Sequence, residues 1–228
     1  MNSVQKAKQP WELVDTLSGE VMIPFGIQLR LIVRSMSDVV ISVEDRATLE
    51  LVVLDTDQDE VTLRVLLAGE GANAWIRSIV IVSGSSKKNI TISAEHICSR
   101  TTADIRTRAA IFDRGVAMLN GIAKIPVDVA EIDTYFSGHE LLMSEGARGD
   151  VVPTLEILSD DVKAGHSASV GSLDELDLFY LQSRGLSSDE SRQELMEGFL
   201  LSDIVGVDDG TVVAEVKSMI LRKLGKDL

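Results

Sequence analysis

The chain has 228 residues, 45% of them hydrophobic and only 4% aromatic, so a sizeable core is affordable but must be built from Val, Ile, Leu and Ala. A net charge of −14 argues against binding nucleic acid or an anionic membrane surface, since both need a basic face. The single cysteine, Cys98, leaves no disulfide framework within the chain, and no run approaches the roughly 18 uninterrupted apolar residues of a membrane span.

Residues 1–20 form a polar N-terminal segment. It lacks the apolar stretch of a signal peptide, which points to a cytoplasmic protein. Within it, Trp11-Glu12-Leu13-Val14 follows Pro10 and is expected to start a short helix. From Val21 to about Leu158 the pattern changes to short apolar runs of period two. In Glu60–Leu67, Val61, Leu63, Val65 and Leu67 share one face while Thr62 and Arg64 take the other. Ala47–Leu54 and Asn89–Ser93 behave alike. Turn signals separate the runs: Asp55-Thr56-Asp57, Gly69-Glu70-Gly71, Ser83-Gly84-Ser85-Ser86 and Ser137-Gly138. Strands recurring every dozen residues or so indicate a sandwich, a barrel or a solenoid, and no strict repeat chooses among them.

The last fifty residues are of a different kind. Ser187-Ser188-Asp189-Glu190 has the form of a capping box, followed at helical spacing by Leu195, Met196, Phe199 and Leu200. After Asp208-Asp209-Gly210, a second stripe runs through Val212, Val213, Val216, Met219, Ile220 and Leu224. Lys217, Arg222, Lys223 and Lys226 lie near its end, where cations complement the helix dipole. A β body followed by two or three helices results. Acid is concentrated in residues 174–209, with ten Asp and Glu against two Arg, which gives the first stripe an acidic outer face suited to docking.

Most familiar catalytic motifs are missing. His96, His139 and His166 are widely separated and belong to no zinc-type spacing; Gly69-Glu70-Gly71-Ala72 lacks the Lys-Ser/Thr of a phosphate-binding loop; no G-x-S-x-G elbow occurs. On a strand His96 and Cys98 share a face, and an imidazolium there lowers a thiol pKa, but a half-buried structural pair is the simpler expectation.

One segment is distinctive. Pro153-Thr154-Leu155-Glu156-Ile157 runs into Asp160-Asp161-Val162-Lys163, then His166, Val170-Gly171 and Leu173-Asp174. It closes with Leu178-Phe179-Tyr180-Leu181 and Ser183-Arg184-Gly185. This order closely resembles the C-terminal signature of the SufB/SufD family of iron–sulfur cluster assembly scaffolds, the SufD branch in particular. Leu141-Leu142-Met143-Ser144 upstream and Gly198-Phe199 downstream extend the resemblance, whereas residues 1–90 share only β-richness.

The resemblance implies a mainly β protein: a right-handed parallel β-helix over 21–172, with a C-terminal helical region over 173–228 that docks an ABC-type ATPase (SufC-like). It implies a non-catalytic subunit that binds no nucleotide itself and pairs with a second SufB/SufD-type subunit, as homodimer or heterodimer. A transient iron–sulfur cluster would be handled at that interface. His166 takes the position of the family's cluster-associated histidine, with Glu156 as a candidate carboxylate ligand. Phe179, Tyr180, Arg184 and Gly185 fall in the ATPase-docking segment, which spans 173–201. The departures are specific: where relatives carry cysteines, this chain has Ile157, Leu158 and Ala164, and its length is short for the family, which leads one to expect no N-terminal helical domain. A structural or regulatory subunit that keeps the ATPase contact without holding a cluster is therefore a competing reading. A β-solenoid lyase is another, disfavoured by the scarcity of sugar-stacking aromatics.

Overall fold

A computed structural model describes residues 9–54, 58–204 and 210–223. The turn at Asp55-Thr56-Asp57, the pair Asp208-Asp209, and Leu224 and Lys226 lie outside the described residues, as do residues 1–8.

Alternation of apolar and polar side chains does what period two demands. Val61, Leu63, Val65 and Leu67 are buried while Glu60 and Arg64 are exposed. Their strand pairs in parallel with the next one two along, so Val61 stands beside Ile90 and Leu63 beside Ile92. The same in-register stacking recurs through the chain. It generates eleven strands: β1 (Glu12–Ile23), β2 (Gln28–Val43), β3 (Thr48–Leu54), β4 (Glu60–Leu67), β5 (Asn73–Val82), β6 (Lys87–His96), β7 (Thr102–Ile111), β8 (Val116–Ile125), β9 (Ile132–Leu142), β10 (Arg148–Ile157) and β11 (Val162–Ser172).

The pairing order is β10-β8-β6-β4-β2-β3-β5-β7-β9-β11, with every ladder parallel. Even-numbered strands thus stack into one sheet and odd-numbered strands into the other. The long strand β2 belongs to both: Gln28–Val33 pairs β3 and Val39–Val43 pairs β4. This is a parallel β-solenoid of two sheets closed around a lumen, and it decides among the three architectures the sequence left open. Side chains at equivalent positions of successive coils meet, as where Asn120 donates to Asn89, 31 residues earlier, and Ser167 to Ser137, 30 residues earlier.

The lumen is filled by Val, Ile, Leu and Ala from both sheets, among them Leu49, Leu63, Ile76, Ile92 and Ile105. Among the described residues Phe136 is the one aromatic side chain of this cluster, and it depends on the glycine opposite, since a Cβ at Gly121 would overlap its ring.

A second core lies outside the odd-numbered sheet. Helices α2 (Ser188–Leu201) and α3 (Thr211–Lys223) pack Met196, Leu200, Val212, Val216 and Ile220 onto Ile32, Val52, Ile79, Ile81 and Leu141. This explains why Ile79-Val80-Ile81-Val82 is apolar on both sides: one side meets the lumen, the other the helices. An ion-pair network ties the cap down. Asp203, just after α2, accepts from Arg106 and Arg108 of β7, and Arg34 of β2 bonds Glu215 of α3. The apolar stripe of α2 is thus spent on the core, and the helix turns its acidic residues Asp189, Glu190 and Glu194 outward.

The N-terminal segment differs from expectation. Trp11-Glu12-Leu13-Val14 starts no helix; β1 begins at Glu12 and pairs β2 in parallel from Glu12↔Leu31 to Ile23↔Val43. Its backbone finds partners on the exposed edge of β2, and Trp11 is held by the Arg30 guanidinium, 4.2 Å from the ring centroid. The solenoid thus starts inside the segment expected to precede it.

Candidate functional site: the terminal rungs and the exposed helix

The signature segment occupies one end of the solenoid. Pro153–Ile157 lies in β10 and Val162–Ser172 is β11. Among the described residues β10 pairs only β8 and β11 only β9, so each leaves one ladder edge open. Both strands are correspondingly more exposed than the inner rungs.

His166 sits in the middle of β11. It is in register with Phe136, a lumen residue, and therefore projects on the lumen side, exposed because β11 is the last rung of its sheet. Ala164, in register with Thr134, is on that same side. Glu156 has the opposite orientation on the other sheet. Its register partner is Lys124, which stands beside Glu95 in turn, so the three form a charged stack on the outer surface. They border a cavity of about 270 Å³ whose apolar wall includes Ile97, Pro126 and Leu158. The fold does not bring His166 and Glu156 into one cluster. Among the described residues no group of three or more His, Cys, Asp or Glu is arranged to hold a metal ion.

The helix after β11 is the other half of the site. α1 (Glu175–Ser183) is capped by Asp174, whose carboxylate accepts from the Leu176 and Asp177 amides. It ends in a Schellman turn: Gly185 N–H donates to Gln182 and Leu186 N–H to Leu181, with Gly185 at φ 101°. Gly185 is thus the stop that frees the helix from its successor, which the Ser187–Glu190 capping box then starts, as the sequence indicated. Arg184 folds back over the Tyr180 ring, 5.2 Å from its centroid, and donates to the Tyr180 hydroxyl. No residue of α1 is buried. Leu176, Phe179 and Tyr180 are 77%, 70% and 56% exposed. The segment expected to dock divides accordingly: α1 offers an open apolar face and α2 does not.

The groups that the sequence left without a role, and Glu140, which it did not single out, have definite surroundings in the fold. His96 is fully buried at the end of β6. Its Nδ1 lies 2.8 Å from Thr101 Oγ1, and burial brings its pKa down to about 4. Cys98 donates to the Ala68 carbonyl. Its pKa is raised by burial first and then by Asp45, Glu70 and Glu44, so it is not an activated thiol. His139 is bonded to Ser169 across β9 and β11. Glu140 faces the lumen unpartnered. Parity along Phe136, Gly138, Glu140 and Leu142 was the signal available for Glu140.

A parallel β-solenoid with open terminal rungs, flanked by a helical layer on one sheet and leading into one uncovered helix, is the class that this geometry defines. The family described as "SUF system FeS cluster assembly, SufBD core domain" matches residues 33–199. The chain belongs to that SufB/SufD family. It is 32% identical over 158 residues to the iron–sulfur cluster assembly protein SufD of Bacillus subtilis, covering 69% of this chain and 36% of that protein. To SufD of Escherichia coli it is 31% identical over 163 residues, 71% of this chain and 37% of that one. SufB of Bacillus subtilis is 27% identical over 135 residues, 59% and 29%. The chain spans little more than a third of the length of its SufD relatives. No helix among the described residues is long and apolar enough to cross a membrane.

Proposed function

We propose that this chain is a non-catalytic subunit of an iron–sulfur cluster assembly complex, and that α1 is its docking element for an ABC-type ATPase. The observation that carries the reading is the helix itself. It is capped at both ends and so formed in advance, yet it buries none of its side chains and exposes Leu176, Phe179 and Tyr180 together. Single exposed apolar residues are ordinary, but three large ones on a short pre-formed helix are what a partner's groove recognises. The names of the SufD relatives support the setting.

The open edges of β10 and β11 suit a second solenoid subunit, which would cover them by further strand pairing. A cluster passing through that junction would be cargo. His166 would supply an imidazole nitrogen to it, and thiolates would have to come from the other subunit, because Ile157, Leu158 and Ala164 supply none. The opposite orientations of His166 and Glu156, on different sheets, favour a second reading, a subunit that binds the ATPase and holds no cluster.

The decisive experiment is co-purification with the ABC-type ATPase of the same genome. Binding that is lost in Phe179→Ser, with the fold intact, supports the docking role; absence of binding between two folded proteins overturns it. Anaerobic reconstitution with iron and sulfide, alone and with a partner subunit, separates the two readings. Visible absorption weakened in His166→Ala supports the cluster role, and no absorption in either mixture supports the second reading.

A further inference from the structure

Glu140 is the most anomalous residue of the lumen. It is 2% exposed, and among the described residues neither carboxyl oxygen has a hydrogen-bond partner. In register it lies between Ala109 of β7 and Val170 of β11, with Ile111 also on β7. On β10 its neighbour is Gly149, whose missing side chain makes the room: a Cβ there would overlap Oε2. Each element packed against it thus presents an apolar or absent side chain. Among the described residues, the charge that bears on it is Asp150, which is of like sign.

An ionised carboxylate without partners in such surroundings is strongly disfavoured, so the group keeps its proton. Burial first, and Asp150 second, push its pKa up to about 8. Its position matters as much as its state. The rung that covers it on one side is β11, the last of its sheet, where Val170 is itself 42% exposed, and the strand beside it is β10, the last of the other. Water reaches Glu140 most readily by lifting these two rungs, while the coils below are held by strands on both sides.

We propose that Glu140 is a protonation latch on the last coil: closed, the coil holds the neutral acid, and opening of β10 and β11 releases its proton to water. The same two rungs carry Glu156 and His166 and lead into α1, so the latch makes the geometry of the open edge depend on pH. The device belongs to the chain alone and does not rest on the assembly role proposed above.

The sign follows from linkage. The open state ionises near the ordinary glutamate value of 4.5 and the closed state near 8, so between these limits each rise of one pH unit favours opening by about tenfold. Hydrogen–deuterium exchange, corrected for intrinsic rates, reads this directly. From pH 5.5 to 7.5, protection of 148–157 and 162–172 should fall about tenfold per unit, while β4 to β7 stay constant. In Glu140→Gln, or in Glu140→Leu if the first variant fails to fold, the terminal rungs should show no such slope. Equal slopes in wild type and variant, or flat protection in wild type, would overturn the proposal. So would an infrared spectrum at pH 6.5 lacking a protonated-carboxyl band that the variant removes.

Discussion

Arg108 on β7 donates a 2.5 Å hydrogen bond to Asp203, 95 residues further along the chain and just beyond the end of α2. Arg106 reaches the other carboxylate oxygen at 3.1 Å, and Arg108 also lies over the Phe199 ring, 4.8 Å from its centroid. One carboxylate thus fastens the helical cap to the solenoid wall. Although burial opposes ionisation of Asp203, hydrogen bonds from the two arginines outweigh it and hold its pKa below the usual range.

Asp203→Asn should therefore destabilise the cap by about 1–3 kcal/mol, because it takes the counter-charge from the partly buried Arg108 guanidinium, while Arg106 keeps its pair with Asp104. Since the folded pKa is depressed, the contribution is present above the unfolded value and disappears as pH falls through the lower folded one. Urea denaturation at pH 7 and at pH 3 checks both statements. A wild-type and variant pair that differ equally at the two pH values would show that the charge is not what holds the cap.

The strands and the two packed helices were legible because burial on one side writes a period into the sequence, as in Val61, Leu63, Val65 and Leu67, or in Met196 and Leu200. The solenoid was legible only through family resemblance. What repeats from coil to coil is backbone shape at one corner, where Gly26, Arg46, Gly71, Arg100 and Glu131 all have positive φ. Each of the first four donates its N–H to the next turn, to Asp45, Glu70, Ser99 and Ala130 respectively. Because two glycines and three long charged side chains take the same left-handed conformation, no residue-level repeat is written there. β1 was illegible for a related reason: it lies at the end of the stack, exposed along most of its length, so burial imposes no alternation on it.

The lumen tests the role of glycine as a space-maker. A Cβ at Gly121 would fall within the Phe136 ring, and Gly138 is similarly close to Val151. Gly121→Ala should cost about 1–3 kcal/mol by overpacking, and Phe136→Leu in the same chain should recover most of it. Thermal unfolding of the two single variants and the double variant gives the coupling directly. Additive losses would mean that the ring and the glycine do not share the space.

On α1 the expectation is the reverse. Replacing both Leu176 and Phe179 by Ser should change stability by less than about 0.5 kcal/mol, since neither side chain is buried. Leu200→Ala on α2 should cost about 2–5 kcal/mol, because that residue is 1% exposed in the outer core. Chemical denaturation of the three proteins makes the comparison. A double Ser variant as damaging as Leu200→Ala would show that the α1 face is packed in solution and so not open to a partner.

His96 supplies the sharpest spectroscopic expectation. Thr101 Oγ1 donates its only proton to the Cys98 carbonyl at 3.0 Å, so in its contact with His96 the hydroxyl must accept and Nδ1 must carry the hydrogen. The ring is then the Nδ1–H tautomer with a bare Nε2, which has no partner among the described residues. Nitrogen chemical shifts at pH 7 should show that tautomer, and an Nε2–H ring would contradict the bond chain. The depressed pKa sets a pH window as well. Between 6.5 and about 4 the unfolded chain takes a proton that the folded ring refuses, so stability falls as pH drops through that range, by at most about 3 kcal/mol. His96→Asn keeps a donor for Thr101 but cannot titrate. Its stability should be flatter than wild type from pH 6.5 to 4.5, and a slope identical to wild type there would assign the acid limb to other groups.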